Sequence, residues 1–397
     1  MLLGDMDKSI KTILDSLQKR KASLSSLLES VLANLVMIGE IPAPTFNEEN
    51  RIKFLCNRLS ECGLQNCSTD EKGNGFGILP GKHLVSDKNI LVVAHADTLV
   101  SKEIDHTISI QPDKITGPGL GDNSLGLAVI ATLPTIFDQL NIQLESNLIL
   151  MGSVKGLGKG DLEGLRFFLR NNSLPIQAGV SLEGVQLGRL SYNSLGMFRG
   201  EIACIVPDEY DWTQFGASGA IITLNDLIGK INSIPIPRRP RTAILLGSIR
   251  GGTAYNTLAT RSLLCFEVRS ESAEIVNDIE NQIHDIVTEM AYQSRAEISM
   301  NIFARRQPGG ILFRHPLVET MREIMKTLDI QPRITPSISE LSAFIDHNIP
   351  AVTLGITRGE RSDEICETIQ IEPMFTGLAQ LIGALLAIDC GVCDEKQ

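Results

Sequence analysis

Three short apolar runs, NILVVAHAD, SNLILMGSV and AGVSLEGV, constrain the fold of this chain more than any other feature. Each is apolar at consecutive positions and then stops at a polar or glycine-rich corner. A strand with one face in solvent alternates, whereas a strand apolar on both faces is covered on both, as in parallel sheets held between two layers of helices. Helical patterns stand between the runs, at LGLAVIATLPTIFDQL from about Ser124 and at LEGLRFFLRNN. Upstream, Ile10, Ile13, Leu14 and Leu17, then Leu27, Leu28, Val31, Leu32 and Leu35, recur at helical spacing. Thr45 with Glu48 three positions on predicts a capping box that opens the helix RIKFLCNRLSECG and lets it end at Gly63. The expected class is α/β, a mostly parallel mixed sheet sandwiched by helices.

From Met197 to Arg305 the pattern changes. The extended segments MFRGEIACIV, TAILLGSIR, SLLCFEVRS and AEISMNIFA flank two helical stretches, near SGAIITLNDLIGKI and ESAEIVNDIENQIHDIVTEMAYQ. This reads as an α+β unit of ordinary domain size. The helix HPLVETMREIMKTL, the strand IPAVTLG and the helix FTGLAQLIGALLAID then return to the earlier style. The expected organisation is an α/β domain over 1–196 and 306–397, with an α+β domain over 197–305 inserted in it.

Composition excludes several functions. Of 397 residues, 43% are hydrophobic and 21% charged, which suits a folded globular protein. Acidic residues outnumber basic ones 47 to 36, a net charge of -11, which argues against nucleic-acid binding. The mixed-charge start MLLGDMDKSIKTILDSLQKRK lacks a signal-peptide core, and no run of about 18 uninterrupted apolar residues occurs; a cytoplasmic protein without a membrane partner is expected. The 8 cysteines form no disulfide framework or zinc-ribbon pattern; the terminal CGVC has redox or metal spacing but no second CxxC.

Chemistry concentrates at the strand ends. His95 and Asp97 follow one run, Asp122 lies in the glycine-rich turn GPGLGDNS before a helix, and Glu183 follows the strand AGVSL. Ligands in such sheets bind beyond the carboxyl ends of the strands. One imidazole and two carboxylates on that edge make a donor set suited to zinc, with Asp97 placed to orient the imidazole. Taken singly, each has a plainer reading: a hydrogen-bonded histidine, a helix N-cap and a surface turn acid.

The motifs VVAHADTL, GPGLGDNSLGLAVI, GVSLEG, GGTAYNTL followed by FEVR, and IPAPTFNEEN resemble those of the two-zinc exopeptidases and deacylases, which include carboxypeptidase G, peptidase T, acetylornithine deacetylase and aminoacylase. The resemblance runs in order along nearly the whole chain. It implies that His95 and Glu183 bind one zinc, that Asp122 bridges to a second, and that Asp97 is the catalytic-site carboxylate supporting His95. It further implies that the inserted domain is a lid forming a homodimer, with Asn256 and Arg269 facing substrate; a guanidinium fork and an amide suit a terminal carboxylate.

The chain departs from the family at three places. After the strand matching SNLILMG the family has two adjacent glutamates, the general base and a ligand of the second zinc; here Gly156 and Leu157 stand there. Asp161 and Glu163 are the nearest acids, and Lys155 and Lys159 add positive charge. Where the family offers a histidine to the second zinc, the match places Asp363. The lid segment DEYDWTQFGASGA lacks the family's histidine.

Losing a general base costs roughly two to four orders of magnitude in rate. The expectation is therefore a metal-dependent amide or peptide hydrolase with an incomplete two-zinc site and low or altered activity, acting on a small peptide or N-acyl amino acid. Zinc is the expected metal at one site, with cobalt or manganese as alternatives. The competing expectation is an inactive relative that binds a peptide or an amino-acid-like ligand.

Overall fold

A computed structural model describes residues 3–82, 88–207, 219–294, 296–361 and 365–395. The chain divides into two compact units, Met1–Asn193 with Gly310–Gln397, and Ser194–Gly309.

The first unit is an α/β sandwich around an eight-stranded mixed sheet. In chain order its strands are β1 (Gln65–Thr69), β2 (Gly75–Leu79), β3 (Asn89–His95), β4 (Asn147–Ser153), β5 (Ile176–Glu183), β6 (Arg189–Ser191), β7 (Arg333–Ile334) and β8 (Ala351–Gly355). They lie in the order β1-β2-β4-β3-β5-β8-β6-β7. The central pairs β4·β3, β3·β5 and β5·β8 are parallel. The pairs β1·β2, β2·β4 and β8·β6 are antiparallel, so the sheet is mixed toward its edges.

The double-faced apolar runs behave as their pattern requires. On β3, Ile90, Val92 and Ala94 join the larger core, and on β4 Leu148 and Leu150 do the same. That core takes in residues of α1 (Leu3–Leu24), α2 (Leu28–Gly39), α3 (Glu49–Glu61), α4 (Leu125–Gln139), α6 (Pro316–Thr327) and α8 (Glu372–Asp389). The intervening residues Leu91, Val93, Ile149 and Met151 pack on the opposite face against α5 (Glu163–Asn171) and α7 (Leu341–Asp346). Burying each such side chain contributes about 1.5–3 kcal/mol. Alternation therefore sends His95, two positions beyond Val93, to the α7 side of the sheet. Gly179 on β5 is needed there, because a Cβ would collide with the ring of Phe344 in α7.

Two helical stretches, Ser9–Gly39 and Leu120–Gln139, are long and apolar enough by length and composition to cross a membrane. The second is a core helix, with 89% of its apolar window buried, and Leu17 and Leu24 of the first are fully buried.

One local expectation fails. Helix α3 starts at Glu49 after a helical Glu48, and its first turn has no side-chain cap. The Thr45 hydroxyl instead donates to Asp97 Oδ2 at 2.8 Å, and Glu48 Oε1 accepts from the amides of Phe46 and Lys155 at 3.0 and 2.8 Å. The capping-box residues were recruited by the strand ends.

The second unit has a four-stranded antiparallel sheet in the order Thr242–Gly251, Arg261–Ser270, Gly196–Ile205, Glu297–Arg306. Helices Ala220–Asn232 and Ala273–Gln293 cover one face, where Phe198, Ile202, Leu264, Phe266, Leu227 and Ile283 form a separate core.

Candidate metal centre

Register places the site. His95 ends β3 opposite Ser153, the last residue of β4, and Glu183 ends β5 opposite Gly355 of β8. The irregular turn Leu120–Ser124 brings in Asp122 and leads directly into α4. The next residue, Asn123, clamps this turn to the end of β5: its Nδ2 donates to Leu182 O at 2.7 Å and its Oδ1 accepts from Gly184 N at 2.9 Å. Glu367 Oε2 accepts from the amides of Gly121 and Asp122 at 2.7 and 3.2 Å, fixing the turn from the other side. Side-chain atoms of His95, Asp122 and Glu183 lie within 4.8 Å of one another.

His95 Nε2 and Asp122 Oδ1 are 2.9 Å apart, while His95 Nδ1 faces the Asp97 carbonyl at 2.9 Å and Asp97 Oδ1 at 3.4 Å. Asp97 Oδ2 accepts from the Leu157 amide and the Thr45 hydroxyl, both at 2.8 Å. Its Oδ1 is buried without a hydrogen-bond partner among the described residues. Glu183 Oε1 accepts from Arg189 and from Ser339 Oγ, each at 3.3 Å.

The electrostatics follow from this crowding. Burial on its own would lower the pKa of His95, but bonds to Asp122 and Asp97, reinforced by the charge of Glu340, raise it well above the usual imidazole value. Burial also opposes ionisation of Asp97 and Asp122, yet pairing with His95 brings both below the ordinary carboxylate range. For Glu183 burial wins and pushes it up to about 7, although Arg189 pulls the other way.

The donor set fits a divalent ion. One imidazole nitrogen and two carboxylates converge, His95 is braced through its other nitrogen, and three protein ligands leave a position free. Among the described residues this is the group of side chains that could hold an ion.

The other expected site residues are not among these three. Asp363 falls outside the described residues. In the second unit, Asn256 is exposed, and Arg269 pairs with Glu267, which also binds Arg199. Asp161 pairs with Arg166 at 2.8 Å, and Glu163 pairs with Lys72 and, at 3.9 Å, with Lys155. The positive charge expected from Lys155 beside the site is thus countered by Glu163. Most of the lid segment without a histidine, 208–218, also lies outside the described residues. Sequence reasoning read Thr45, in the motif IPAPTFNEEN, only as a helix cap, and it missed Arg189, Ser339 and Glu340, which sit in none of the motifs.

No model of a known protein family matches the chain. It is similar to the acetylornithine deacetylase of Edwardsiella ictaluri (strain 93-146), 23% identical over 388 residues, 91% of this chain and 97% of that one. Among solved structures it resembles human carnosine dipeptidase 1, with a TM-score of 0.76 at 11% identity over 94% of this chain and 100% of that chain. It also resembles Bacillus subtilis YXEP, a dinuclear metal binding peptidase from the M20 family, with a TM-score of 0.62 at 14% identity over 92% and 99%. The chain therefore has the fold of the two-zinc exopeptidases and deacylases that its motifs resemble. Its strand-end cluster is a candidate metal centre.

Proposed function

We propose that the protein is a metal-dependent hydrolase of amide or peptide bonds, of exopeptidase or N-deacylase type, using one ion held by His95, Asp122 and Glu183. The observation that carries this reading is the convergence of those three side chains within 4.8 Å at the carboxyl ends of β3 and β5. A bound divalent ion acts as a Lewis acid on a carbonyl oxygen and makes water acidic enough to react near pH 7. Asp97 keeps the imidazole oriented, held in turn by the Thr45 hydroxyl and the Leu157 amide.

The substrate we infer is a small peptide or N-acyl amino acid, in keeping with the deacetylase and dipeptidase likenesses. Asn256 and Arg269 are proposed to meet its carboxylate. Zinc is the proposed ion, with cobalt or manganese as substitutes, and Asp363 with Asp122 would form any second site. The inserted unit is proposed to make a homodimer, supported by its exposed edge strand Thr242–Gly251, with Leu245 and Ile249, and by Ile221 and Ile222 on the adjoining helix. A cytoplasmic location is proposed.

Gly156 and Leu157, which carry no acid, favour a second reading: a relative that binds such ligands without turnover. The deciding experiment follows hydrolysis of a panel of dipeptides and N-acyl amino acids with added zinc or cobalt, for wild type and His95→Ala. Metal-dependent turnover lost in the variant supports the hydrolase. Ligand binding with no turnover supports the second reading.

A further inference from the structure

We propose that Glu340 supplies the proton-accepting carboxylate of this site, in place of an acid on the loop after β4. This rests on the hydrolase reading above. Glu340 precedes α7, on the face of the sheet to which alternation sends His95, and its side chain is only 2% exposed. Among the described residues its carboxylate accepts no hydrogen bond, which leaves it available to a water or a substrate.

What it faces gives it one. A Cβ placed on Gly156 would stand 3.0 Å from Asp97 Oδ1, 3.3 Å from His95 Cβ and 3.5 Å from Glu340 Oε1. The absent side chain of residue 156 and the carboxylate of Glu340 thus border the same space beside His95. The charge of Glu340 is felt by both His95 and Glu183. Yet Glu340 is not one of the three groups gathered within 4.8 Å. That is the placement of a group acting through a water next to the cluster, rather than of a fourth ligand.

Segment 337–340 is anchored for the purpose. Ser339 Oγ donates to Glu183 Oε1 at 3.3 Å, and Ser337 Oγ accepts from Arg189 at 3.4 Å. The hydrolysis then balances. The oxygen of the attacking water bonds to the substrate carbonyl carbon, and its proton passes to Glu340 Oε1. The C–N bond breaks as that proton moves to the amide nitrogen, which restores the carboxylate.

The test compares wild type, Glu340→Gln, Glu340→Asp, Glu340→Ala and the double variant Gly156→Glu with Glu340→Ala. Zinc affinity is measured by calorimetry, together with melting temperature, kcat and KM. The expected result for Glu340→Gln is unchanged zinc affinity and fold with kcat lower by roughly 100- to 10,000-fold. Glu340→Asp keeps part of the rate, and the double variant regains turnover over Glu340→Ala. Unchanged kcat in Glu340→Gln overturns the assignment and leaves the hydrolase standing, and so does a loss of zinc binding, which would make Glu340 a ligand. Wild type that holds zinc but turns over nothing in the panel overturns both.

Discussion

The neighbouring parallel strands β3 and β4 end side by side, with His95 opposite Ser153, and then use their following residues in opposite ways. Beyond β3 side chains meet: His95 Nε2 faces Asp122 Oδ1, and His95 Nδ1 stands 3.4 Å from Asp97 Oδ1 as well as 2.9 Å from the Asp97 carbonyl. Beyond β4 it is the backbone that serves, since Gly156 offers no side chain and Leu157 contributes its amide to Asp97 Oδ2. The β4 loop is nonetheless tightly built, with Leu162 N donating to Gly156 O, Glu163 N to Lys155 O and Gly164 N to Val154 O. A strand end can therefore support a site through its backbone as well as through its side chains.

Substitutions sharpen this contrast. Asp97→Asn keeps the shape of the brace but not its charge, and zinc affinity should fall about 10- to 100-fold, read by calorimetry. Unchanged affinity would mean that the Asp97 carbonyl alone suffices to brace His95. Gly156→Ala places a methyl group against Asp97 Oδ1 and His95, which should cost about 1–3 kcal/mol in urea unfolding. Thr45→Val removes a bond to a charged oxygen and should cost about 1–2 kcal/mol at pH 7. Burial works to raise Asp97, yet pairing with His95 and bonds from Leu157 and Thr45 hold it below its usual value. Its bonds thus stabilise the fold above the unfolded carboxylate pKa and lose that effect as pH drops through the lower folded one. The gap between wild type and Thr45→Val should accordingly shrink at acid pH. Leu157→Ala keeps the amide and should change zinc affinity by less than about twofold, a shift of about 0.4 kcal/mol at most. A large change would show that the side chain, not the backbone, is what β4 contributes.

The sheet was legible because its runs are short, apolar on both faces and separated by helical patterns; β3, β4, β5 and α4 all lie where those patterns stand. His95, Asp122 and Glu183 were legible because each closes a run or turn at the same sheet edge. Thr45 was misread because a local capping pattern looks the same whether the hydroxyl caps a helix or reaches a carboxylate across the fold. Glu340 was invisible for a related reason. It belongs to no motif, and only packing of α7 on the sheet, with Phe344 seated over Gly179, brings it beside Gly156.

The central claim is that His95 and Glu183 at two strand ends, with Asp122 of the adjoining turn, hold one ion. Its most direct test is zinc per chain, by elemental analysis after equilibrium dialysis, for wild type and Glu183→Ala. The account predicts one zinc per wild-type chain and loss of tight zinc in the variant. No zinc in wild type, or one zinc held equally by both proteins, would contradict it.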